Sequence, residues 1–229
     1  MEKTVRLYYI ECGKGKPLIL LHGNQENSSY FKSQIKEFSM FYHVFALDTR
    51  GHGKTPHGED PFTLKAFSED LFCFFNEHDI CRAHILGFSD GANIAMLFAL
   101  SHPEKVDKLI LNGGNYQFSG LKFSVRCSVF LQYKLARLCS SFSKRALRYA
   151  EMMALMLYEP NLTELQLSKI DAETLILIGN RDVIRKKHSE DMAKIMPHAR
   201  LEIIEGRHYI AKTNPKVFNK KILSFLAEI

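Results

Sequence analysis

Ala83-His84-Ile85-Leu86-Gly87-Phe88-Ser89-Asp90-Gly91-Ala92-Asn93-Ile94 is the stretch on which the fold turns. Residues 83–86 form a short apolar run, which predicts a buried strand. Residues 91–100 are apolar on every side of a helical projection, which predicts a buried helix ended by Pro103. Between the two lies Gly87-Phe88-Ser89-Asp90-Gly91, a G-x-S-x-G pentapeptide. On a sharp strand-to-helix turn the serine backbone is strained and its Oγ rises above the sheet. The flanking glycines remove Cβ atoms that would collide with nearby backbone. Ser89 could instead be a plain helix N-cap; the strand before it and the helix after it favour a nucleophile. A serine hydroxyl is a poor nucleophile until a base takes its proton. The helix N-terminus favours developing negative charge, and the N–H of Asp90 is expected to be one oxyanion donor. The Asp90 carboxylate is read as a favourable first-turn charge with no chemical role of its own.

Working outward, short apolar runs alternate with amphipathic stretches, as in βαβ units around a mostly parallel sheet. Residues 6–11 alternate, Gly13-Lys14-Gly15-Lys16 follows, and Pro17–Leu21 is apolar on both faces. This predicts an early hairpin whose second strand is central. His43–Leu47, residues 108–111 and residues 174–178 read as further strands, and residues 200–204 as a strand nearer an edge. Residues 62–78 and 215–226 read as amphipathic helices. His22-Gly23-Asn24 follows the strand ending at Leu21 and so belongs to the ligand-binding crevice of an open α/β sheet. Gly23 permits a tight turn, and the N–H of Asn24 is the candidate second oxyanion donor. The plainer alternative there is an ordinary strand-ending turn.

The chain has 229 residues, enough for one domain with a small insertion. Its hydrophobic fraction is 46% and its charged fraction 24%, which fits an ordinary soluble globular protein. No apolar run is long enough to span a bilayer, and Met1-Glu2-Lys3-Thr4-Val5-Arg6 has no secretory h-region. The five cysteines are odd in number, widely spaced and form no CxxC pair. Neither a zinc site nor a disulfide framework is expected, and a reducing, cytoplasmic setting is. A net charge of +6 is mild, and no basic run of nucleic-acid type occurs. Gly51-His52-Gly53-Lys54-Thr55 mimics the tail of a phosphate-binding loop, but the full pattern needs glycine where Asp48 stands.

The succession of His22-Gly23-Asn24, Asp48-Thr49-Arg50-Gly51-His52-Gly53 and Gly87-Phe88-Ser89-Asp90-Gly91 resembles the α/β-hydrolase superfamily. The resemblance covers residues 6–229 apart from an insertion. It implies an α/β fold: a mostly parallel central sheet flanked by helices, with a small helical cap after the sixth strand of the fold. Residues 115–168, helical in pattern, stand at that place; residues 1–114 and 169–229 make the core. The resemblance also implies a structural loop at Asp48–Gly53 with Arg50 tying the backbone, and reduced first strands.

In that fold the chain order is serine, acid, histidine. The strand at residues 174–178 leads into Gly179-Asn180-Arg181-Asp182, and the strand at 200–204 into Glu205-Gly206-Arg207-His208. Of ten histidines, His208 alone follows the last strand, so it is the candidate general base. Asp182 is the candidate that orients it. The loop after the preceding strand, Asn112-Gly113-Gly114-Asn115, holds no carboxylate. Asp171 and Asp191 remain alternatives, the first before the strand and the second on a helix.

From Asn115 to Ala150 there are seven basic residues and no Asp or Glu. Lys122, Arg126, Lys134 and Arg137 fall within about 120° on a helix, with Phe123 and Phe130 intruding. This is a solvated basic face, or one that attracts anionic or amphiphilic substrates or a lipid surface. Phe118, Phe123, Phe130, Tyr133, Met152, Met153 and Met156 line an acyl pocket or pack the cap on the core. The expected activity is ester hydrolysis of a small or acyl-chain substrate with no cofactor and no metal. A C–C bond hydrolase, a perhydrolase and a ligand sensor on the same fold remain open.

Overall fold

A computed structural model describes residues 5–59 and 62–228. Residues 1–4, read above as free of a leader, lie outside the described residues. Among the described residues the apolar runs form seven strands: β1 (Tyr9–Cys12), β2 (Pro17–Leu21), β3 (His43–Leu47), β4 (Ala83–Phe88), β5 (Val106–Asn112), β6 (Glu173–Gly179) and β7 (Ala199–Ile204). They lie side by side in the order β1-β3-β2-β4-β5-β6-β7. Only β1 is antiparallel; every other neighbouring pair is parallel. The strand expected nearer an edge, β7, is the edge strand.

Alternate side chains of each strand face opposite layers. Ile19, Leu21, Ile85 and Leu109 pack on one side with helices α2 (Leu64–Glu77) and α3 (Asp90–Ser101). Leu18, Leu20, Leu86 and Ile110 pack on the other, where Phe38 of α1 (Lys32–Phe38) and Phe218 of the closing helix (Pro215–Ala227) join them. This two-sided burial explains why the central strands read as continuous apolar runs.

The hairpin expected from the Gly13–Lys16 turn does not form. β1 pairs with β3, with Tyr9 opposite Leu47, and β3 separates it from β2. Gly13 shows why: a Cβ there would lie 2.2 Å from the carbonyl oxygen of Tyr42. The glycine lets the chain pass over the turn before β3 instead of folding back on β2.

After β2 the chain goes to β3 on one side of it, then to β4 on the other. Such a reversal opens a crevice at the carboxyl ends of the strands. β4 runs two residues further than the apolar run suggests, so it delivers the chain straight to Ser89. Between β5 and β6 stand α4 (Phe123–Cys139), α5 (Lys144–Tyr158) and α6 (Glu164–Leu167). The Glu159 carboxylate accepts the Leu64 N–H at 2.7 Å, and Glu151 meets His57 at 2.9 Å. These contacts hold the inserted helices against the rest of the fold.

Candidate active site

Ser89 sits where β4 meets α3, with φ 52 and ψ −118. A non-glycine residue at positive φ is strained and persists only where its surroundings hold it. The Ser89 N–H donates to the Asn112 carbonyl at 2.8 Å, and the Ala92 N–H donates to the Ser89 carbonyl at 2.9 Å. Ser89 does occupy the N-cap position of α3, but its side chain makes no capping bond. The hydroxyl faces His208 instead.

Close approach of backbone makes this turn possible. A Cβ on Gly91 would lie 2.1 Å from the Leu21 carbonyl oxygen, and one on Gly23 would lie 3.1 Å from the Ser89 Cβ. The loop after β2 therefore packs directly on the turn after β4.

Asp182 follows β6 and His208 follows β7, in the chain order expected. His208 Nδ1 is 2.7 Å from Asp182 Oδ1, and His208 Nε2 is 3.1 Å from Ser89 Oγ. An ionised carboxylate only accepts, so Nδ1 carries the proton and Nε2 is left as an acceptor. Burial alone would raise the Asp182 carboxyl. The His208 hydrogen bond, and the N–H groups of Ile184 and Gly179, outweigh burial and hold it below the usual carboxylate range. Asp171 and Asp191 lie elsewhere: Asp171 pairs with His198, and Asp191 with Lys187 on α7 (Lys186–Ile195).

Asn24 and Asp90 lie beside Ser89. Their main-chain N–H groups take no acceptor among the described residues. Their side chains touch each other: the Asn24 amide donates to Asp90 Oδ2 at 2.8 Å and to the Met152 carbonyl of α5 at 2.8 Å. Burial pushes the Asp90 carboxyl up to about 6, against the opposing pull of the Asn24 hydrogen bond and of His208. Asp90 thus does more than complement a helix dipole. Nothing in the sequence marks this pairing, because the partners are 66 residues apart.

His22 braces the loop from behind. Its Nδ1 donates to the Gly23 carbonyl at 2.8 Å and its Nε2 accepts the Thr49 N–H at 3.0 Å. Burial, with His52 alongside, depresses its pKa to about 4, so the ring stays neutral. The Asp48 loop is held from within: its carboxylate accepts the N–H groups of Ser28 at 2.7 Å and Lys54 at 2.8 Å. An N–H that a phosphate-binding loop would offer its ligand is therefore taken by Asp48. The Arg50 guanidinium places Nε and Nη2 on the Asp70 carboxylate of α2, at 2.6 and 2.7 Å, so these contacts reach a side chain rather than the backbone it was expected to tie.

A cavity of about 230 Å³ opens over Ser89 and His208, walled by Leu121, Val125, Met156 and Ile184. A wider groove of about 730 Å³ lies beyond Gln25, with Arg145, Arg148 and Met152 along it. Of the residues read as acyl-pocket candidates, Met156 lines the cavity and Met153 is buried. Phe123 and Phe130 point to solvent instead.

The serine hydrolase (FSH1) family model matches residues 75–219, and the α/β hydrolase fold model matches residues 16–125. The chain is similar to an abhydrolase domain-containing protein of Schizosaccharomyces pombe, 34% identical over 106 residues. That match covers 45% of this chain and only 39% of the relative's length. A putative carbamate hydrolase of Azorhizobium caulinodans is 24% identical, over 97% of this chain and 96% of that one. Among solved structures, a thermophilic esterase from Thermogutta terrifontis superposes with a TM-score of 0.81 at 21% identity, covering 97% of this chain and 93% of that chain. At that identity the likeness concerns the fold.

Proposed function

Because this chain belongs to the α/β-hydrolase family, we propose that it is a serine hydrolase cleaving an ester-like bond of a small or acyl-chain substrate. The observation that carries the reading is the relay from Asp182 to His208 to Ser89, spaced 2.7 and 3.1 Å. Ser89 Oγ attacks the carbonyl carbon while its proton passes to His208 Nε2. The N–H groups of Asn24 and Asp90 stabilise the oxyanion. Collapse expels the alcohol, which takes the proton from His208. Water then attacks the acyl-enzyme while His208 accepts its proton; the Ser89 Oγ–acyl bond breaks, Oγ takes that proton back from His208, and the acid leaves.

Residues 115–168 act in this reading as a cap that closes the crevice. The small cavity over Ser89 suits a short acyl group, and Arg145 and Arg148 beside the wider groove favour a substrate with an anionic leaving part. No step calls for a cofactor or a metal.

The test is turnover of p-nitrophenyl esters of increasing chain length by the wild type and by Ser89→Ala. Activity on the short esters is expected, with a loss on the order of a thousandfold or more in the variant. Undiminished turnover by the variant would remove the serine mechanism. Labelling of Ser89 by a fluorophosphonate, with no ester turned over, would favour a ligand sensor or an enzyme of narrow specificity. Turnover of a vinylogous diketone in preference to any ester would move the reading to C–C bond cleavage.

A further inference from the structure

α4 turns Val129 and Ala136 inward and buries them. At 100° per residue, the opposite side of the helix carries Phe123, Phe130, Leu131, Leu135 and Leu138, and Phe142 follows in the turn before α5. Phe142 is 92% exposed, Leu138 73% and Phe123 72%. The outward side of a surface helix is normally polar. Six large apolar side chains gathered on one helix and its adjoining turn are a patch, and such patches mark interaction surfaces.

The charged residues of α4 and of the turn after it are of one sign. Residues 115–150 hold seven Lys and Arg and no Asp or Glu. The Arg126 guanidinium lies 5.6 Å from the Phe123 ring centroid, and the Lys134 ammonium 5.4 Å from that of Phe130. Cations stand beside the very rings that are exposed. An apolar helix side bordered by Lys and Arg suits an anionic interface, where rings enter the acyl boundary and cations stay among headgroups. A second copy of this chain fits less well. An isologous contact would bring the Lys and Arg of one α4 against the same basic surface of another, with no carboxylate from α4 to offset them.

We propose that the outer side of α4, with Phe142 in the following turn, docks this chain onto an anionic lipid surface. Contact is on the bilayer, since among the described residues no helix is long and apolar enough to cross one. Val125, on the other side of α4, walls the cavity over Ser89, so docking sets that cavity close to the lipid.

The test uses the full chain carrying Ser89→Ala, so that association does not depend on turnover. It is sedimented with vesicles of phosphatidylcholine alone and of phosphatidylcholine mixed with phosphatidylserine. Association with the mixed vesicles is expected, and at least about tenfold less without the anionic lipid. Phe123→Ser/Leu138→Ser/Phe142→Ser and Lys134→Glu/Arg137→Glu are each expected to weaken it at least about tenfold. All five positions are exposed, so thermal unfolding and far-ultraviolet circular dichroism should be close to those of the parent. Failure to associate with the mixed vesicles, or equal association by folded variants, would overturn the proposal. So would a stable dimer in solution that Phe123→Ser/Leu138→Ser/Phe142→Ser converts to monomer, since the patch would then belong to a second copy. Each of these results leaves the ester assay on the Ser89 form to be judged separately.

Discussion

The side-chain amide of Asn24 donates to Asp90 Oδ2 across 2.8 Å, tying the loop after β2 to the turn after β4. These are the two residues whose N–H groups are assigned to the oxyanion. The same amide reaches the Met152 carbonyl of α5, so loop, turn and inserted helices meet at one side chain. Preorganised donors stabilise a transition state because they need not reorganise as charge develops.

Asn24→Ala keeps the main-chain N–H but removes this tie. We expect kcat to fall about tenfold to a hundredfold with KM little changed, since misplaced donors affect the transition state more than substrate binding. Steady-state kinetics on a short ester check this. A fall confined to KM would make Asn24 a substrate contact instead. Asp90→Asn tests the partner's charge. A carboxyl raised to about 6 makes the folded state bind its proton more readily than the unfolded chain, so ionising it costs stability as pH rises from about 4 through 6. The unfolding free energy of Asp90→Asn relative to wild type should therefore grow by about 2–3 kcal/mol between pH 4 and pH 7, read by urea unfolding.

Histidine burial sets an opposite dependence. His22, His84 and His188 are each depressed to about 4, in every case chiefly by burial. Between pH 6.5 and 4 the unfolded chain binds protons that these folded rings refuse, so stability falls as pH drops through that window. Asp182, held low, adds to the loss below about pH 4, where its protonation breaks the pairing with His208. The urea midpoint should thus decline steadily below pH 6.5 in spite of Asp90. His22→Asn should flatten the decline by at most about 3 kcal/mol, and an unchanged slope would show that His22 titrates normally.

Gly113 has φ 64, and a Cβ there would stand 2.7 Å from His208 Cε1. Gly113→Ala is expected to displace the imidazole and lower kcat about tenfold to a hundredfold, with a stability cost of only about 1 kcal/mol for the left-handed backbone. Comparing kcat with the thermal midpoint separates the two effects. Full activity would mean that the ring tolerates the shift.

Much of the fold was legible because periodicity is a local property. The apolar run of β4, the all-round apolar α3 and the pentapeptide between them mark the turn at Ser89 without any distant contact. Asp182 and His208 could be named because each follows a strand by a few residues, and parallel strands end at one edge of a sheet. Other features have no local signature. The partner of β1 depends on which strand reaches its edge, and the chain's adjacency to β2 pointed the wrong way. Phe123 and Phe130 fit a pocket wall as well as a solvent-facing blade until the helix has an orientation.

By itself the amino-acid order determined which segments become strand or helix, and that a serine, an acid and a histidine leave their strands at the same end. Tertiary structure alone decided that Asp90 holds Asn24, that Gly113 bounds His208, and that the apolar side of α4 faces outward. Each of these is a contact between groups far apart in the chain. Its existence follows from how whole layers pack, and packing minimises a sum over many residues that no short window of sequence contains.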